Sequence, residues 1–148
     1  MHKIKVFILV LALGLFSKCS YFEETEITPI LIGMGNLMGS ENIAQQNLVV
    51  TNATQWQDLI TQMDAYNPYS AAFSETNVDF DQFRVVAIFD QLYGNGGHGL
   101  EIHSIYENDT EIIVDYERLN PAGDATCVIT QPFYIVKIPQ SNKPVVFN

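Results

Sequence analysis

The 148-residue chain contains two cysteines, one tryptophan and three histidines, with seven basic residues against 17 acidic ones. Two cysteines, Cys19 and Cys127, cannot make a disulfide framework. No CxxC, HExxH or HxH spacing exists to hold zinc. There is no Gly-Lys-Ser/Thr phosphate loop and no GxSxG elbow of a serine hydrolase. Bases are the scarcest of the charged groups. Three of the seven (Lys3, Lys5 and Lys18) fall in the first 18 residues, so the remainder sets 4 bases against 17 acids, a formal charge of −13. Such a surface repels phosphate backbones, which argues against nucleic acid as a partner. With 47% hydrophobic and 16% charged residues, the chain has neither a disordered nor a generally membrane-spanning composition.

The first 18 residues read as an export signal. Met1 to Lys5 is a short basic region and Val6 to Phe16 an apolar run of 11 residues, short of the ~20 that a transmembrane helix needs. Cys19 follows in Ser17-Lys18-Cys19-Ser20. A cysteine just after the apolar run resembles a bacterial lipobox, whose cysteine carries lipid and becomes the mature N-terminus. Lys18 departs from the small residue usual before that cysteine. Glu23, Glu24 and Glu26 then read either as a surface-export signal or as a solvated tether over residues 19–29. The expected location is the bacterial cell envelope, lipid-anchored, with the outer membrane favoured.

Residues 30–148 read as one domain, long enough to bury roughly two thirds of its unfolded surface. Ile30 to Ser40 suggests a short strand and a glycine-rich turn, and Gln46 to Val50 another strand. Thr54 and Gln57 have the spacing of a capping box. Trp56, Leu59, Ile60 and Met63 then fall on one helical face, with Asn67-Pro68 as the stop. Phe83 to Phe89 predicts a central strand covered on both faces. Leu100 to Glu107 and Thr110 to Arg118 alternate as strands about a turn at Asn108-Asp109. Alternation puts Leu100, Ile102 and Tyr106 on one face of the first of these. Thr126 to Ile138 predicts a long strand interrupted at Gln131-Pro132, and Val145 to Phe147 a last one. The expected class is α+β: a mostly antiparallel sheet with one amphipathic helix toward the N-terminal side.

Gly94-Asn95-Gly96-Gly97-His98-Gly99 is the most unusual stretch. It reads either as a wide turn between core strands or as a loop whose bare backbone recognises a partner. Together with exposed sheet edges, which accept added strands, these six residues are the candidate partner-binding site. His98 and His103 fall on opposite faces of a regular strand, so no metal site is expected. Cys127, between Thr126 and Val128, reads as a small buried hydrophobe, not a nucleophile paired with His98. A calcium site at Asp79 and Asp81 lacks the oxygen-rich pattern such sites need. No catalytic residue and no cofactor is expected.

One set of motifs carries a resemblance. Trp56, Val78-Asp79-Phe80, Val85-Val86-Ala87-Ile88, Gly96-Gly97-His98, Pro121, Thr130-Gln131-Pro132 and Ile135-Val136-Lys137-Ile138 occur in this order. In order and spacing they resemble the C-terminal domain of the PrcB family of protease-complex subunits, from about Leu48 to Phe147. His98 stands where that family usually has tyrosine. The resemblance implies an exported, non-catalytic module that binds or assembles proteins, accessory to a surface protease. The alternative is a protease inhibitor or a module that binds a peptide or small ligand.

Overall fold

In the computed structural model, which describes residues 23–123 and 126–148, eight strands form two four-stranded sheets beside one α-helix. The strands are β1 (Thr25–Glu26), β2 (Ile30–Leu37), β3 (Gln46–Val50), β4 (Phe83–Phe89), β5 (Gly99–Glu107), β6 (Ile112–Leu119), β7 (Gln131–Pro139) and β8 (Val145–Phe147). The inner sheet has the order β2-β7-β4-β3 and is antiparallel throughout. The outer sheet has the order β1-β5-β6-β8, with only β8 parallel to its neighbour. The class is therefore α+β.

Two cores result from the alternation of β4 and β7. Val85, Ala87, Phe89, Phe133 and Ile135 face helix α1 (Ala53–Met63), which contributes Trp56, Leu59, Ile60 and Met63. Val86, Ile88, Val136 and Ile138 face the outer sheet, meeting Leu100, Ile105, Ile112 and Val114. The continuous apolar run of β4 is thus covered on both faces, as its composition requires.

Several elements differ from the sequence expectation. The helix is capped by Asn52, whose side chain accepts from the Gln55 N–H at 2.9 Å, and Thr54 lies inside it. Asn52 and Gln55 repeat the spacing of Thr54 and Gln57 two residues earlier, and the Gln55 carboxamide accepts from the Thr51 N–H at 3.1 Å. The helix ends at Met63, ahead of Asn67-Pro68, with Asp64 as C-cap. The segment read as a tether joins the fold at its far end: Thr25 and Glu26 pair with Glu107 and Tyr106. β2 runs through Gly33 and Gly35 before the turn at Gly39, because pairing with β7 supplies what propensity lacks. In β5 the register shifts between Ile102 and Ser104. His103 is the extra residue of this bulge, and beyond it Ile105 is the fully buried residue, not Tyr106.

The expected long strand starts only at Gln131, and Pro132 lies inside the paired strand β7. The Asp90 N–H donates to the Pro132 carbonyl at 2.9 Å. The return bond from residue 132 to the Asp90 carbonyl is the one proline cannot make. The buried Gln131 side chain replaces it, its amide donating to the Asp90 carbonyl at 2.9 Å and the Ile43 carbonyl at 2.8 Å. This explains how a proline is tolerated between two neighbouring strands. Gln131→Leu keeps the volume but strands two buried carbonyls, each worth ~1–3 kcal/mol unpaired. Urea unfolding should show a loss of about 2–6 kcal/mol; a loss under ~1 kcal/mol would refute this role for the amide.

Candidate functional site

β2 is an edge strand, and its outer side is bridged by the segment that follows the helix. At one end Ser74 donates its N–H to the Ile32 carbonyl and its hydroxyl to the Leu31 carbonyl, both at 2.8 Å. At the other, the Tyr69 hydroxyl accepts from the Met38 N–H at 3.1 Å. Between these anchors the strap makes a single 3-10 turn, Tyr69–Ala72. The Asp64 carboxylate holds that turn, accepting from the Ser70 N–H at 2.9 Å and from its hydroxyl.

Between strap and strand lies an apolar slot of about 250 Å³. Its walls are Pro68, Tyr69, Ala72 and Phe73 on one side and Met34, Gly35, Asn36 and Phe133 on the other. Glycines at alternate positions, Gly33 and Gly35, line it. A Cβ at Gly33 would overlap the Phe73 ring, and at Gly35 it would stand 3.5 Å from the Phe133 ring. The aromatic walls brace one another: Phe133 lies 6.3 Å from Tyr69 and 6.2 Å from Phe73, and Phe73 stacks on Trp56 at 6.1 Å. The indole N–H donates to the Thr76 carbonyl at 2.9 Å, fixing the strap from behind. Burial and then the charge of Glu41, itself buried, raise the Tyr69 phenol above its ordinary pKa.

The slot also presents backbone. Because Asp90 and Pro132 are a hydrogen-bonded pair, even-numbered residues of β7 turn their polar groups to β4 and odd-numbered ones to β2. The β2 partners of the odd-numbered residues, Gly33, Gly35 and Leu37, therefore face inward, and Met34 and Asn36 turn their N–H and C=O to the open edge. A second cavity of about 180 Å³ touches Met34, Gly35 and Asn36 toward the outer sheet, against Gly99, Leu100 and Leu119. Exposed Ile30, Leu31, Met34 and Met38 continue the apolar surface along β2.

The glycine loop is folded onto its own chain. The Gly96 N–H donates to the Thr126 carbonyl at 2.9 Å, and the Thr130 hydroxyl donates to the Asn95 carbonyl at 2.8 Å. His98 stacks on Tyr93 with ring centroids 3.5 Å apart and contacts the Asn95 side chain at 3.3 Å. Gly97 is left-handed at φ +88°, with Pro121 where a side chain would go. Gly94 is exposed and open, and Gly99 is the loop residue that reaches the second cavity. Beneath the loop lies a group that sequence inspection missed. The Asp90 carboxylate, with no exposed side-chain surface, accepts from Arg118 Nε at 2.7 Å and from the Tyr93 hydroxyl at 2.8 Å. The hydrogen bond to Asp90 raises the Arg118 pKa; burial, then Asp90, raises that of Tyr93. An isolated Asp after an apolar strand carries no signal of this, because its partners come from β6 and from the loop.

Other residues singled out from sequence also find places. Cys127 is exposed, contrary to expectation. The Thr126 carbonyl accepts from both Gly96 and Val128, which makes this segment a turn at the surface, not a buried strand. Asp79 turns its oxygens inward to the Asp81 N–H at 3.0 Å and the Gln82 amide at 2.7 Å, leaving little for calcium. His103 lies with Glu101 and Glu117 on the solvent face of the outer sheet, apart from His98 in the loop. Cys19 lies outside the described residues. No protein-family model matches the chain, and no curated protein or solved structure is significantly similar to it.

The loop geometry separates two of its glycines. Gly97→Ala should lower stability by more than ~1 kcal/mol, since it meets both an unfavourable φ and Pro121 at 2.8 Å. Gly94→Ala, with nothing within 4 Å, should change it by less than ~0.5 kcal/mol. Equal effects of the two substitutions in melting curves would contradict this assignment.

Proposed function

We propose that the chain is an exported, lipid-anchored envelope protein whose domain binds a short extended segment of a protein partner in the slot beside β2, with no covalent step. The observation that carries this reading is the slot itself, where two backbone units with no partner among the described residues, at Met34 and Asn36, line an apolar cleft with aromatic walls. Extended peptides are recognised in this way, the main chain supplying affinity and a pocket for alternate side chains supplying specificity. Ile32 and Met38, bonded to the strap, are six residues apart, so about 20 Å of edge lies between the anchors and the bound segment is short. The cavity is smaller than the ~300–1,000 Å³ of small-molecule sites, which favours an apolar side chain over a free ligand. The charge of −13 beyond residue 18 favours a segment with basic flanks. The resemblance to PrcB C-terminal domains supports a protease or its complex as the partner. The contact moves from the glycine loop, whose Gly96 N–H and Asn95 carbonyl are engaged by Thr126 and Thr130, to the neighbouring edge, with Gly99 common to both.

The test is binding of labelled heptapeptides with an apolar centre and lysine flanks, followed by fluorescence anisotropy. Ala72 is exposed on the slot wall, so Ala72→Phe should fill the slot, weaken binding at least about tenfold and leave the melt near normal. Methylation of the peptide's central amide should weaken binding as well, since it removes an edge hydrogen bond. Equal affinity of parent and Ala72→Phe would refute the slot as the site. The anchor is tested separately. Cys19→Ser should abolish acyl labelling and move the protein from the membrane to the soluble fraction; membrane partition without label in the parent would refute it.

A further inference from the structure

The solvent face of the outer sheet carries an unusual placement of charge. Glu101 on β5 and Glu117 on β6 are direct register partners, and both are exposed on that face. Like charges directly opposite each other destabilise a strand pair. Such a pair is ordinarily relieved by a lysine or arginine, and among the described residues none is in place. The chain beyond residue 22 has four such residues. Arg118 is engaged with Asp90, Lys137 with Glu75 and Lys143 with Glu107. Arg84 is buried between the sheets and donates to the Lys143 carbonyl. Asp115, two residues from Glu117 on the same face, adds further negative potential.

What does approach the pair is an imidazole. His103 is the bulged residue of β5, without a register partner of its own. Bulges re-aim a side chain relative to the regular pleat, and this one brings His103 Nε2 to 3.4 Å from Glu117 Oε1. One ligand atom from each of Glu101, His103 and Glu117 lies within 4.8 Å of the others. Exposed glutamates rotate freely, so closing these distances to a common ion requires side-chain rotation and no backbone movement. We infer that Glu101, His103 and Glu117 form a site for a divalent transition-metal ion of the zinc type. Two carboxylates and a neutral imidazole match the charge and donor preference of such an ion, with water completing its coordination. The imidazole disfavours magnesium and calcium, which take oxygen ligands. The ion would cancel the Glu101–Glu117 repulsion that no lysine or arginine among the described residues relieves. The site is independent of the peptide slot, which lies on another sheet.

Zinc chloride titrated into the full chain, by calorimetry, tests the inference. The background carries Cys19→Ser and Cys127→Ser, since a free thiol would itself bind zinc. One equivalent should bind, and His103→Gln and Glu101→Gln should each weaken it by at least about tenfold. Asp58→Asn, an exposed acid on the helix, should leave it unchanged. Zinc should raise the melting temperature of the parent but not of His103→Gln, whose melt without metal should match the parent's. Cobalt(II) should give visible absorption lost in the same variants, and excess magnesium should not compete. Absence of saturable zinc uptake below about 1 mM, or equal affinity in parent and both ligand variants, would overturn the site.

Discussion

Asp90 is the residue through which the parts of this molecule are held in one arrangement. It stands at the end of β4, buried, where three elements converge. Its N–H bonds Pro132 in β7, and its carbonyl receives the Gln131 amide. Its carboxylate reaches Arg118 of the outer sheet and Tyr93 at the entrance to the glycine loop. A carboxylate out of water is tolerated only when its lone pairs are used, and here both oxygens have a donor. Arg118, the partner with exposed surface, keeps one side of its guanidinium in water while fixing the outer sheet against the inner. The same side chain that satisfies Asp90 thus sets how the two sheets meet.

That constraint matters because both cores are built on one pair of strands. Residues of β4 and β7 alternate between the helix side and the outer-sheet side. A slip of one residue between them would send each set to the wrong core. The Asp90–Pro132 bond and the Gln131 amide pin the register at the end where the proline would otherwise weaken it. The aromatic group of Phe89, Phe133, Phe73 and Trp56 then assembles on the helix side, and the slot is the gap left between that group and the edge strand. Its geometry follows from a register decided at Asp90, across the width of the sheet.

This ordering explains what could be read from sequence. The helix face Trp56, Leu59, Ile60 and Met63 was legible because its period is local, and all four residues are buried. The run Val85 to Phe89 was legible because an apolar segment with no polar face needs cover on both sides. The Asn108-Asp109 turn was legible because Asn108 caps it with its own side chain, accepting from the Thr110 and Glu111 N–H groups. The misjudged elements depend on partners distant in the chain. Tyr106 lost its expected inward place to a bulge at His103. Cys127 lost its expected burial because Thr126 turns to meet Gly96. Glu101 and Glu117, 16 positions apart, become neighbours only through the register of β5 and β6. The slot required Ser74 and Tyr69 to meet Leu31, Ile32 and Met38, a pairing that no short-range pattern announces.

Two glycine-rich stretches stood out in the sequence, and the structure uses them oppositely. At Gly96 and Gly97 the absent side chains are replaced by the molecule itself: Thr126 fills the position beside Gly96 and Pro121 that beside Gly97. The loop's conformational freedom is therefore consumed in folding. In β2, Phe73 occupies the space at Gly33, while the space at Gly35 remains bounded by Phe133 and open to solvent through the slot. A missing side chain that the fold does not refill leaves apolar walls and edge hydrogen-bonding groups exposed together. Exposed apolar surface of this kind is costly unless something covers it. A loop dense in glycine is thus weaker grounds for recognition than a single glycine on an edge strand whose space stays empty.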